Sequence, residues 1–169
     1  SADPHLSEYL PARWEGRHWL SGFNGSAGTL VVTRRFAGLW VDSRYWVQAE
    51  VELAGTGITL MKVNSASAAQ HIEWLASHVP AGGTVAVDGN VLGLAVARDL
   101  QAALTAKGAL LRTDIDLLET VWADRPGLPT APIYEHKAPY ATQSRAAKLE
   151  LVRAAMKAAG ADWHFISTV

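Results

Sequence analysis

Gly22, Gly25 and Gly28 stand three residues apart around Asn24 and Ser26, and this is the densest concentration of potentially chemical residues in the chain. Such spacing suggests a loop that cradles a phosphate, yet a dinucleotide fingerprint needs a strand before the glycines and a helix opening on them. Here Gly28 is followed by Thr29-Leu30-Val31-Val32-Thr33, a β-branched run that favours a strand. No Gly-Lys-Ser/Thr follows, so a P-loop is excluded. Ser26 misses the nucleophile elbow as well, because Asn24 occupies the position of the first glycine of Gly-x-Ser-x-Gly. On residue physics alone the stretch reads as a tight glycine turn feeding a strand.

Other candidate groups are explained structurally. His71 and His78 lie seven apart on one helix, too far for joint metal coordination without further ligands, and read as solvated helix histidines. Asp114-Ile115-Asp116 resembles a metal-binding pair, but both carboxylates sit at a helix start, and Asp116 with Glu119 mimics a capping box. No His-Glu-x-x-His is present, and no local pattern supports a Ser–His–Asp triad. Arg44 differs: it falls in the first turn of a helix, where the dipole disfavours a cation. Either Asp42 compensates it locally, or it binds a substrate or partner carboxylate bidentately.

The elements that must position these groups follow from the hydrophobic pattern. Leu30–Thr33 and Leu39–Val41 are strands joined through a solvated Arg34-Arg35 turn. Asp42 or Ser43 caps a helix from about Arg44 to Leu53. Strands over Ile58–Val63, Thr84–Val87 and Ala109–Leu111 then alternate with helices ending near His78, spanning Leu94–Ala106 and closing over Asp116–Trp122; Ser65 or Ser67 caps the first of these. A hairpin followed by strand–helix alternation predicts an α/β fold, a mixed sheet flanked by helices. Residues 125–143 hold four of the seven prolines and read as a linker. Ser144 caps a periodic helix stopped by Gly160, and Trp163–Val169 looks like a strand.

With 169 residues, the chain is long enough for a sizeable core; 18% of residues are charged and the net charge is −1, which gives no attraction to nucleic acid or anionic membrane. Cysteine is absent, removing disulfides and thiolate chemistry together, in keeping with a reducing compartment. No apolar run approaches the ~20 residues that span a bilayer. Most of the seven tryptophans are expected in the core.

Several segments, taken in order, resemble the amino-terminal domain of the creatinase and Xaa-Pro aminopeptidase (aminopeptidase P) family. They are Asp3-Pro4-His5-Leu6-Ser7-Glu8-Tyr9, Ser21–Thr29, Leu39–Tyr45, Gln48-Ala49, Thr59–Lys62, Ala86-Val87-Asp88 and Val121–Pro126. The resemblance is strongest to the long cytosolic aminopeptidase P branch. It implies a creatinase-type domain over residues 1–124 lacking its opening helix and strand, the linker at 125–143, and the first helix and strand of a second similar domain at 144–169. The chain is thus expected to be a piece of a longer enzyme. A strand from the carboxy-terminal part is expected to cover the sheet edge left by the missing strand.

In the family, two divalent ions (manganese or zinc) sit in a carboxy-terminal domain of which nothing is seen here. No catalytic or metal-binding residue is therefore assigned to this chain, which should be inert alone. The whole enzyme would be a cytoplasmic homodimer that removes an amino-terminal residue preceding proline. This domain would restrict substrate access and support dimerisation. The resemblance implies substrate-binding roles for Arg44 and, less strongly, for Glu8, whose alternative is a surface position beside a buried Tyr9. Nucleic acid and membrane are not expected partners. A creatinase, a prolidase, or a metal-free peptidase-like binding protein is the alternative.

Overall fold

The computed structural model describes residues 2–64 and 69–167, and its chain contacts divide it into two units, Ser1–Leu128 and Pro129–Val169. Both faces of one short strand organise the first unit. Strand β2 (Ala37–Val41) pairs antiparallel with β1 (Thr29–Val32) and parallel with β3 (Thr59–Lys62), in the order β1-β2-β3. Side chains alternate along a strand, so Leu39 and Val41 enter one apolar layer and Trp40 the other. The first layer joins them to Phe23, Ala49 and Leu53, the latter two from helix α2 (Trp46–Glu52) and its end. The second layer joins Trp40 and Val31 to Ile72 and Leu75 of helix α3 (Gln70–His78) and to Leu100 and Leu104 of helix α4 (Leu94–Thr105).

The expected hairpin and mixed sheet are present, with Arg34 and Arg35 exposed in the turn. Strands β4 (Thr84–Ala86) and β5 (Leu110–Arg112) form a separate two-stranded parallel sheet rather than extending the first. Three residues each make only a short ladder, and packing of α3 and α4 links the two sheets through the shared second layer. Ser65 and Ser67, the expected caps of α3, lie outside the described residues.

The segment before the hairpin, for which the hydrophobic pattern predicts no helix, carries a 3-10 turn at Ala12–Trp14 and helix α1 at Gly16–Ser21. This helix is short and leaves Trp19 and Leu20 exposed, so it lacks an apolar stripe to read. Gly22, with φ of 71°, closes it, its amide donating to the His18 carbonyl at 2.7 Å. At the other end, helix α6 (Arg145–Ala159) runs from a Ser144 cap to Gly160 as expected, but residues 163–167 form no strand. Trp163 and Phe165 are 92% and 88% exposed, and no described ladder takes them in. The expected edge-covering strand is therefore absent among the described residues.

Helix α5 (Leu118–Val121) is fixed by a charge network rather than a capping box. Asp116 Oδ1 accepts the Leu118 amide, but Glu119 turns away from the helix start to Arg13 (2.7 Å) and Arg125 (2.9 Å). The Arg125 side chain is 6% exposed, donates to Asp116 at 2.5 Å and to the Arg13 carbonyl at 3.1 Å, and lies near the rings of Trp14 and Trp122. Trp122 stacks on Trp19 at 4.8 Å, so the network ties α1 to α5. Asp114 pairs separately with Arg112 at 2.7 Å.

Replacing Arg125 takes the sequestered cation from Asp116 and from the Arg13 carbonyl, while Glu119 keeps Arg13. Arg125→Met should destabilise the chain by about 2–3 kcal/mol. In thermal unfolding of the 169-residue chain that is a fall of roughly 5–10 °C in Tm. A Tm within a degree of the parent would contradict the network's role.

Candidate functional site

The loop between α1 and β1, residues 22–28, is held from inside by an arginine. Arg17 of α1 is half-buried and donates through Nη1 to the Gly28 carbonyl at 3.2 Å and through Nη2 to that of Gly25. Its guanidinium lies 5.4 Å from the ring of Phe23, which is fully buried. Desolvation by burial lowers the Arg17 pKa from the ordinary arginine value. The glycines are required by space. A Cβ on Gly25 would fall 2.2 Å from the Phe23 ring and 2.8 Å from that of Tyr45. Gly28 has φ of 154°, and a Cβ there would meet Val41 Cγ1 at 3.0 Å and the Trp40 carbonyl at 3.2 Å.

The outer side of the loop is tied to α2. The Asn24 amide donates to Glu52 at 3.0 Å, and Gln48 donates to the same carboxylate at 3.0 Å. The Asn24 amide bond, ahead of that from Gln48, lowers the Glu52 pKa. Ser26 Oγ lies 2.6 Å from the Tyr45 hydroxyl, and Tyr45 stands edge-on to Phe23 at 5.9 Å. Ser26 is thus paired with a phenol rather than with an imidazole base.

Tyr45 belongs to a 3-10 turn, Ser43–Tyr45, that Asp42 caps by accepting the Arg44 amide at 3.1 Å. The Arg44 guanidinium lies 5.3 Å from the Tyr45 ring and donates Nε to Asp42 Oδ1 at 2.9 Å and Nη2 to Oδ2 at 2.8 Å. The hydrogen bonds from Arg44 hold the Asp42 pKa below the ordinary carboxylate value, and the same pair raises that of Arg44. Arg44 nonetheless remains 68% exposed, and Nη1 has no hydrogen-bond partner among the described residues.

Glu8 is exposed too, on a segment that Asp3 shapes. The buried Asp3 carboxylate accepts the amides of His5 (3.0 Å) and Ser7 (2.9 Å), and the Ser7 bond lowers its pKa first. Leu6 takes a positive φ of 54° in this turn. Glu8 makes no hydrogen bond or ion pair with Arg44 or any other described residue. Tyr9, expected to be buried, is 86% exposed, and it follows a run of exposed residues, 4–8.

Among the described residues no three His, Asp or Glu side chains are grouped to hold a metal. Of the two helix histidines expected to be solvated, His71 is instead half-buried with its pKa lowered by desolvation, whereas His78 is exposed and stacks on Trp74 at 4.1 Å. Sequence reasoning missed Arg17, Asn24 and Glu52. No local signal marked Arg17, because the helix that carries it has no apolar stripe to read.

Two family models, both described as Creatinase/Prolidase N-terminal domain, match residues 6–125 and 124–169. The chain belongs to the creatinase/prolidase family, as its N-terminal domain. It is similar to Xaa-Pro aminopeptidase 2 of Sus scrofa, 36% identical over 157 residues, covering 92% of this chain and 23% of that one. Aminopeptidase P2 of Arabidopsis thaliana is 35% identical over 170 residues, covering 99% and 24%. A crystal structure of X-prolyl aminopeptidase from Caenorhabditis elegans superposes with a TM-score of 0.75 at 29% identity, covering 96% of this chain and 26% of that one. That protein is described as a cytosolic enzyme with a di-nuclear active site. The chain spans about a quarter of the length of these relatives. No helix among the described residues is long and apolar enough to cross a membrane.

The loop's dependence on Gly28 is open to test. Gly28→Ala combines an unfavourable φ with backbone crowding and should cost about 1–3 kcal/mol. Chemical denaturation of the 169-residue chain should show a lower midpoint at unchanged slope. An unchanged midpoint would mean that the loop relaxes freely.

Proposed function

We propose that this chain is the non-catalytic amino-terminal part of an Xaa-Pro aminopeptidase-like metallopeptidase, which removes an amino-terminal residue preceding proline. Its role is to restrict access to the catalytic site, to contact the peptide and to support a homodimer, in the cytoplasm. Residues 1–124 form the first domain, 125–143 the linker and 144–169 the opening of a second, similar domain; the two family matches, 6–125 and 124–169, meet at 124–125 and favour a boundary there. The residues described here do not fit a metal site, so the two divalent ions, manganese or zinc, are assigned to the part of the relatives that this chain does not cover.

The observation that carries the peptide-contact role is the exposed Arg44, fixed in direction yet with donors to spare. It follows directly on the carboxyl end of β2, where ligands of open α/β sheets are commonly met. A planar guanidinium can give two parallel hydrogen bonds to peptide oxygens, which an ammonium cannot. Glu8 is a second candidate, available to a peptide amine.

In the full-length protein, Arg44→Lys should lower kcat/KM for an Xaa-Pro peptide roughly fivefold to a hundredfold, the loss of one charge-assisted contact. Lys can still pair loosely with Asp42, and exposed pairs contribute little, so the Tm of the chain should barely move. Intact kinetics with a Tm lowered by several degrees would make Arg44 a structural partner of Asp42 only.

A further inference from the structure

The Asp42–Arg44 pair leaves one edge of the guanidinium open. Asp42 takes the side edge, Nε to Oδ1 at 2.9 Å and Nη2 to Oδ2 at 2.8 Å. The end edge, formed by Nη1 and the second hydrogen of Nη2, faces no acceptor among the described residues. Asp42 is itself immobilised, because Oδ1 also accepts the Arg44 backbone amide at 3.1 Å. The guanidinium's face lies 5.3 Å from Tyr45, whose hydroxyl is 2.6 Å from Ser26 Oγ and whose ring abuts the buried Phe23. In-plane and face contacts together hold an otherwise exposed, flexible side chain in one direction.

Resting on the peptide-contact reading above, we infer that Asp42 is a positioning residue that presents the end edge of Arg44 to a neutral peptide carbonyl. A ligand oxygen at that edge does not compete with Asp42, which occupies another. The pair also carries no net charge. Recognition therefore runs through directed hydrogen bonds and favours an amide carbonyl over a free carboxylate, which the neighbouring Asp42 repels. Ordering the side chain before binding removes an entropic penalty otherwise incurred on association.

The test is a double-mutant cycle in the full-length protein, with an amidated Xaa-Pro peptide as substrate. Asn caps as well as Asp but cannot hold a guanidinium by two oxygens. Asp42→Asn should raise KM about five- to tenfold with kcat changed less than twofold, and should have no effect in an Arg44→Met background. Asp42→Ser, a second capping variant, should behave alike, with Tm monitored for both. An unchanged or lowered KM in Asp42→Asn, where Arg44→Met alone raises it, would overturn the positioning role and leave peptide contact by Arg44 standing. An equal effect in both backgrounds would also overturn it. If Arg44→Met leaves KM unchanged, the peptide-contact reading falls and the positioning role with it.

Discussion

Leu39, Trp40 and Val41 are at most 4% exposed, and a strand buried on both faces must find apolar cover on each. That demand sets much of the first unit. One face draws in α2 and Phe23, the other α3 and α4, while β1 and β3 satisfy the strand's backbone on either side. Truncating a core side chain of this kind typically costs about 2–5 kcal/mol, more than any exposed ion pair contributes. The position of Asp42 follows: it is the first residue beyond the buried strand, and the chain must turn there into α2.

Buried or half-buried cations do a second kind of work. Arg17 and Arg125 are both sequestered, and both use their forked donors on backbone carbonyls, Arg125 on carboxylates as well. Arg17 fixes the glycine loop from within; Arg125 joins the segment before α1 to the segment after α5. Arg44 has the same fork but spends only one edge of it on Asp42. Arg112 spends one edge on Asp114 in the same way. What sets Arg44 apart is its place just beyond the buried β2 strand, with its guanidinium against the Tyr45 ring that meets the glycine loop at Ser26.

Much of the architecture was legible in the chain. The β1–β2 hairpin, the Asp42 cap, α4 and α6 all follow from β-branched runs, capping residues and periodic apolar positions, signals that depend on neighbours a few residues away. Helix α1 was not legible, because tertiary contacts from Arg17 and the Trp19–Trp122 stack stabilise it in place of an apolar stripe. The separation of β4–β5 from the first sheet and the absence of a strand over 163–167 are likewise long-range outcomes. At the candidate site, Arg44 could be identified by its unfavourable place at a helix start. Its pairing with Asp42 is one of two alternatives in the sequence, and the structure has the pair made with an edge still open. Asn24 and Glu52, 28 residues apart, had no local signal at all.

The central claim is that this chain guides peptide to chemistry performed elsewhere in a larger protein. Turnover of an Xaa-Pro peptide, measured side by side for the pure 169-residue chain and the full-length protein with manganese or zinc supplied, tests it most directly. The account predicts release of the first residue by the full-length protein and none by the chain alone, at any concentration of either metal. Metal-dependent turnover by the isolated chain would contradict it.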